Sequence, residues 1–260
     1  MSIPHPEIFL PVFNAYLPEP HSSLLSGIIF GTNLKTSKEF YESLRTVGLL
    51  HIVVLSGINI TLLTVIISSL TKNLGKLVSI LITILSIIFF VIFVGPEAPI
   101  IRAAIMGLLT SVAILYGRKY FVIYSLILSI IFIGIFFPLW LTTISLWLSY
   151  GATFGIILFG RSSSKWSVCK DLRVSLAAQI FTTPIIFIYF KQVSIIAPIS
   201  NLFVSGIIAP LMIFGFLTAI LGKINYFLGY IPSLICYGLL SYLIFVVETL
   251  SKLPFIFFKF

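Results

Sequence analysis

The stretch "LVSILITILSIIFFVIFV", residues 77–94, runs for eighteen residues without a charge. As a helix it rises about 27 Å, close to the roughly 30 Å of a bilayer's hydrocarbon core. Comparable apolar runs lie on both sides of it, at 49–70, 99–116, 121–137, 139–160, 172–190, 193–222 and 226–250. The chain of 260 residues is 59% hydrophobic and only 9% charged, against about 45–50% and about 25% in soluble domains. These runs predict an all-α, polytopic transmembrane helix bundle of about 7–8 spans in the plasma membrane and exclude a soluble domain. The formal net charge of +9 would suggest nucleic acid in a soluble protein. In a membrane chain the first reading is that Lys and Arg collect in cytoplasmic loops.

The loops then orient the bundle. Lys72 and Lys76 follow the first span, Arg118 and Lys119 the third, and Arg161, Lys165, Lys170 and Arg173 the fifth, against Asp171 alone. The intervening "GPEAP" (95–99) carries Glu97 and no base. The odd-numbered loops are therefore expected in the cytoplasm and residues 1–48 outside. Within 1–48, "SSLLSGIIFG" (22–31) is an apolar helix too short to span, expected to dip into the bilayer and return. "TSKEFYESLRTVG" (36–48) offers a Thr36–Glu39 capping box, then Phe40, Leu44 and Val47 at helical spacing, then Gly48 as a stop. It is expected to lie on the membrane surface as an amphipathic helix over 36–47. The run 193–222 is long for one upright span, and Pro198 and Pro210 predict a broken or re-entrant element there. The organisation read from these features is an N-terminal interfacial segment (1–48), a membrane domain (49–250) and a short tail (251–260). The opening "MSIPHPEIFLPVF" has no basic region and does not read as a signal peptide.

Catalytic and cofactor chemistry is hard to find in the sequence. Three histidines occur, with no HExxH, no GxxxxGK[ST] and no GxSxG. Cys169 and Cys236 share no motif spacing. The expectation is a conduit or scaffold, not an enzyme, without metal or cofactor.

The polar residues inside the spans are more telling. His51, Ser56, Gly57 and Asn59 open the first span, and Ser56 and Asn59 share a helix face. Arg102 lies near the outer end of the third span. Gln179, Thr182 and Thr183 precede Pro184 in the sixth, and Asn201 falls in the outer half of the seventh. Each has a plainer use. His51 suits a headgroup contact, and Arg102 a snorkelling or Glu97-paired cation. Ser and Thr bond their own helix, and Asn and Gln join helices. Together, at similar depth in separate spans, they suit a bundle interior or a water-filled path.

Five segments in order resemble the ComEC family of competence proteins: "LPEPHSSLLSGIIFG" (17–31), "GLLHIVVLSGINITLL" (48–63), "PIIRAAIMGLL" (99–109), "LWLSYGATFGIILF" (146–159) and "LAAQIFTTPIIFIYFKQVSIIAPISNLFVSGIIAPL" (176–211). The resemblance covers roughly 15–250. It implies an inner-membrane channel that passes single-stranded transforming DNA. It also implies motif positions at His51, Ser56, Gly57, Asn59, Arg102, Gln179, Thr183, Pro184, Asn201 and Pro210. Asn59 stands where the family signature usually has a second histidine. Many members add an OB-fold domain and a metallo-β-lactamase-like domain. Neither is in this sequence, so no nuclease activity is expected of it. The implied partners are single-stranded DNA, membrane lipid, a cytoplasmic ATP-driven helicase-like motor and an extracytoplasmic DNA-receptor protein, and a homodimer is compatible. Two other readings remain, a small-solute or lipid transporter and a non-conducting truncated member acting as scaffold.

Overall fold

A computed structural model describes residues 6–53, 57–119, 121–160, 167–253 and 257–259. A 3₁₀ turn over Pro6–Phe9 leads into α1 (Leu10–Tyr16), followed by α2 (His21–Phe30), α3 (Lys38–Thr46) and α4 (Leu50–Val53). Next come α5 (Gly57–Thr71), α6 (Lys76–Val94), α7 (Ala98–Leu115), α8 (Val122–Phe136) and α9 (Ile144–Phe159). The chain ends with α10 (Ser167–Phe190), α11 (Ala197–Ile224) and α12 (Tyr226–Ser251). A strand β1 (Gln192–Ser194) pairs antiparallel with β2 (Phe257–Lys259), Val193 opposite Phe258. Ser56, Arg161 and Lys165 lie outside the described residues.

Among the described residues five helices are long and apolar enough to cross a membrane: α6, α7, α10 (from Val168), α11 and α12. The other spans read from sequence fall on shorter helices: 49–70 on α4 and α5, 121–137 on α8, and 139–160 on α9. α5 and α8 have 15 residues and α9 has 16, about 22–24 Å each.

The exterior is apolar. Leu85, Phe89, Ile135 and Ile231 are each more than 60% exposed, as befits side chains that meet hydrocarbon. Small hydroxyls turn inward: Ser79, Ser111, Ser125, Ser129, Ser200 and Ser233 are all buried. Most bond their own helix backbone, as Ser111 Oγ does to the Gly107 carbonyl at 2.9 Å. Small residues facing other helices let backbones approach, which is how membrane helices gain packing energy.

The largest core forms around α2. Leu24, Leu25, Ile28, Ile29 and Phe30 pack with Phe13 of α1, Val204, Ile208 and Leu211 of α11, and Leu240, Leu243 and Val247 of α12. A second core joins α5, α6 and α7 through Ile60, Ile87 and Ile100. A third joins α8 and α9 to the start of α7 through Leu126, Ile133, Leu146 and Ala98.

Several expectations change. The cap of α3 is Ser37, whose hydroxyl accepts from the Phe40 amide at 3.2 Å, and not Thr36. Ser37 has the extended backbone (ψ 149°) that a capping residue needs. The apolar face of α3 is sealed into protein and does not rest on lipid, since Phe40, Leu44 and Val47 belong to the α2-centred core. Gly48 stops the segment as expected, at φ +75°, where a Cβ would also stand 2.5 Å from that of Ala197. The run 193–222 is not broken: α11 is one helix of 28 residues. Pro198 sits in its first turn, where no backbone donor is needed, and Pro210 is carried inside it. Residues 257–259 of the tail form the strand β2.

The two ends of the bundle are well marked. At one end, Ser194 Oγ donates to the Thr46 carbonyl (2.7 Å) and Ser200 Oγ to the Val47 carbonyl (2.7 Å), beside the β1–β2 ladder. At the other end, α11 turns into α12 and Tyr16 Oη donates to the Tyr226 carbonyl (2.8 Å). The α1–α2 hairpin therefore reaches the α11–α12 turn from within a segment whose last helix ends at the opposite side.

Candidate functional site

Arg102 is 8% exposed, so it does not snorkel. α7 holds it toward α9, where Ser149 and Thr153 stand one turn apart. Nε donates to Ser149 Oγ at 2.8 Å and Nη1 to Thr153 Oγ1 at 3.0 Å, with Met106 Sδ at 3.2 Å. Its Cζ lies 5.9 Å from the centre of the Tyr150 ring, within cation–π range. The Tyr150 hydroxyl is tied to Ser129 Oγ of α8 at 2.9 Å. Gly57 closes the other side. A Cβ there would stand 2.8 Å from Arg102 Nη2 and 3.1 Å from Ala103 Cβ, so α5 approaches α7 because residue 57 has no side chain. Gly57 and Arg102 are thus brought together by the fold.

Asn59, two residues further on, is 2% exposed and turns another way. Its Nδ2 donates to the Ile28 carbonyl at 2.7 Å. That carbonyl lies in the last turn of α2, where four acceptors lose their helical partners. Asn59 therefore caps α2 from α5. His51 is exposed, and its Nδ1 meets the Gly48 carbonyl at 2.9 Å.

The second polar group lies on α10. Ser175, Gln179 and Thr183 recur every four residues and form one stripe. Asn201 Nδ2 of α11 donates to Ser175 Oγ. Gln179 and Thr183 are half-buried and Pro184 is exposed. Thr182 bonds back to the Ala178 carbonyl at 3.1 Å. The opposite face of α10 packs on α9, where Gly151 meets Phe181 and Ile185, and Gly155 sits against Ala177. The Arg102 group and the Gln179 group are therefore separated by α9 and by the body of α10. Pro210 is part of α11, remote in sequence from both.

Sequence reading singled out Arg102 but not the residues that hold it. "LSYGATFG" (148–155) carries a four-residue repeat on each of two faces. Ser149 and Thr153 turn to Arg102, and Gly151 and Gly155 turn to α10. The repeat was visible, but the partners of its two faces were not.

Buried hydroxyls, amides and one guanidinium between apolar helices define an all-α membrane protein with polar groups inside its bundle. The model of the Competence protein family matches residues 28–260, and the chain belongs to that family. It is 30% identical over 202 residues to an uncharacterized protein of Aquifex aeolicus (strain VF5), covering 77% of this chain and 46% of that one. It is 27% identical over 197 residues to ComE operon protein 3 of Bacillus subtilis (strain 168), covering 73% of this chain and 25% of that one. The chain thus spans about half the length of the first relative and a quarter of the second. No solved structure matches it.

Proposed function

We propose that the chain forms the membrane channel through which single-stranded DNA enters the cell during natural competence. The observation that carries this reading is the family match over residues 28–260. Phosphates cannot be stripped of water in lipid, so such a path needs polar walls and an attracting charge. The half-buried stripe of Gln179 and Thr183 supplies polar wall on α10, and Arg102, on the other side of α9, places a positive charge inside the bundle. The chain acts without catalysis. A cytoplasmic ATP-driven motor pulls the strand, and a DNA receptor outside delivers it.

Eight crossings fit the two ends of the bundle. Thr46 and Ser194 meet at one end, which requires an even number of passes between them, and α5 to α10 supply six. β1 and β2 also pair there, which makes α11 and α12 two more. With Lys72, Arg118 and Lys170 facing the cytoplasm, that shared end is extracytoplasmic, and the α1–α2 hairpin enters the bundle from it. The transporter reading drew on a broken seventh span, and α11 is unbroken.

The test is uptake of fluorescent DNA by a strain deleted for the gene and complemented with wild type or Arg102→Ala. Deletion is expected to abolish uptake and Arg102→Ala to restore less than a tenth of it. Normal uptake in the deletion strain would refute the channel.

A further inference from the structure

The α1–α2 hairpin occupies the centre of the largest core without being one of the long helices. Nine consecutive residues of α2, Ser22 to Phe30, are buried. The hairpin sits in a groove made by three glycines at seven-residue intervals. Gly215 receives Leu25 and Ile29, Gly222 receives Val12 and Tyr16, and Gly229 receives Tyr16. A side chain at any of the three would stand within 3 Å of the hairpin. The groove is thus shaped for an inserted element, yet few polar bonds keep that element there. Asn59 Nδ2 holds the Ile28 carbonyl, His21 Nε2 meets Ser241 Oγ at 2.9 Å, and Tyr16 Oη holds the Tyr226 carbonyl.

An independent observation marks the insertion as unfinished in hydrogen-bonding terms. Three buried side-chain atoms have no hydrogen-bond partner among the described residues: His21 Nδ1, Thr32 Oγ1 and Gln192 Oε1. Two of the three flank α2, one at its first residue and one just past its last. Buried polar groups are normally paired, and each exception carries a desolvation cost that hydration would remove. Both ends of α2 therefore gain partners when the helix leaves its groove, which offsets part of the apolar area it would expose. Pro18 and Pro20 precede α2, and Gly31 follows it in the left-handed region at φ +69°.

We infer that the α1–α2 hairpin is a displaceable plug, latched by Asn59 and by the His21–Ser241 pair. Its withdrawal opens the glycine-floored groove along α11 and α12 to the strand. This rests on the channel reading above. It gives the Asn of the "LSGIN" stretch (55–59) a specific task, which is to hold the plug rather than to touch DNA.

The test locks the plug in place. His21→Cys with Ser241→Cys, in a Cys169→Ser, Cys236→Ala background, is bridged in cells by a short bis-maleimide, and uptake of fluorescent DNA is measured. Bridging is expected to lower uptake at least tenfold relative to the same variant capped with N-ethylmaleimide. Undiminished uptake after complete bridging would overturn the plug while leaving the channel standing. Uptake by the deletion strain would instead remove the channel. A second arm covers the case in which the cysteine variant fails to assemble. Asn59→Leu protein in liposomes is expected to release a small anionic dye several-fold faster than wild type. An unchanged release rate there would overturn the latch.

Discussion

At the residue scale, Arg102 shows why charge alone is a poor description of a buried cation. Its fork of donors fits two hydroxyls one turn apart on α9, and a lysine ammonium has neither the reach nor the planar geometry. Arg102→Lys is therefore expected to lower the thermal stability of the detergent-solubilised protein by about 1–3 kcal/mol, through the two lost charge-assisted bonds. Circular dichroism melts against wild type check this. Ser37 is a cleaner case. Ser37→Ala removes the only side-chain cap of α3 and should cost about 1 kcal/mol. The exposed Glu42–Arg45 pair, at 3.4 Å, should contribute at most about 0.5 kcal/mol. A comparison of Ser37→Ala with Arg45→Ala in the same melts ranks the two.

At the scale of elements, the decisive contacts are those of glycine with backbone. A Cβ on Gly155 would lie 2.1 Å from the Ala177 carbonyl, and one on Gly151 would lie 3.3 Å from the tip of Ile185. A carbonyl inside a helix cannot move aside, but the end of an isoleucine can. Gly155→Ala is thus expected to separate α9 from α10 and cost about 1–3 kcal/mol, whereas Gly151→Ala should change stability by less than about 1 kcal/mol. Equal effects in melting experiments would contradict the packing described. Pro210 illustrates the opposite situation. It lies in an unbroken helix, although its ring leaves the carbonyl one turn back without a helical donor. The pattern of α3 was likewise legible in its Phe40, Leu44 and Val47, but not what would cover them. An apolar stripe records only that it must be buried, and lipid and protein satisfy it equally.

At the scale of the whole molecule, the proposed orientation, argued from the charge asymmetry and the pairing of the two ends, is open to direct test. A reporter fused at Lys165 is expected to read cytoplasmic, and one fused after Lys252 extracytoplasmic. If both read the same side, the crossing number between them is even, not the three that α10, α11 and α12 supply, and the eight-pass arrangement fails. The sequence by itself determined the class of protein, the approximate position of every long apolar helix and the presence of polar groups among them. These follow from local quantities, namely hydropathy over about twenty residues and helical spacing. Only the tertiary structure decided what those polar groups face. Asn59 turns to the carbonyl of a helix 31 residues away, Arg102 to hydroxyls about 50 residues on, and the Gln179 stripe away from both. Such partnerships depend on how helices are rotated and stacked against one another. In hydrocarbon that rotation is set by shape, through glycines such as Gly57, Gly155 and Gly215 and the side chains they admit, and no local pattern encodes it.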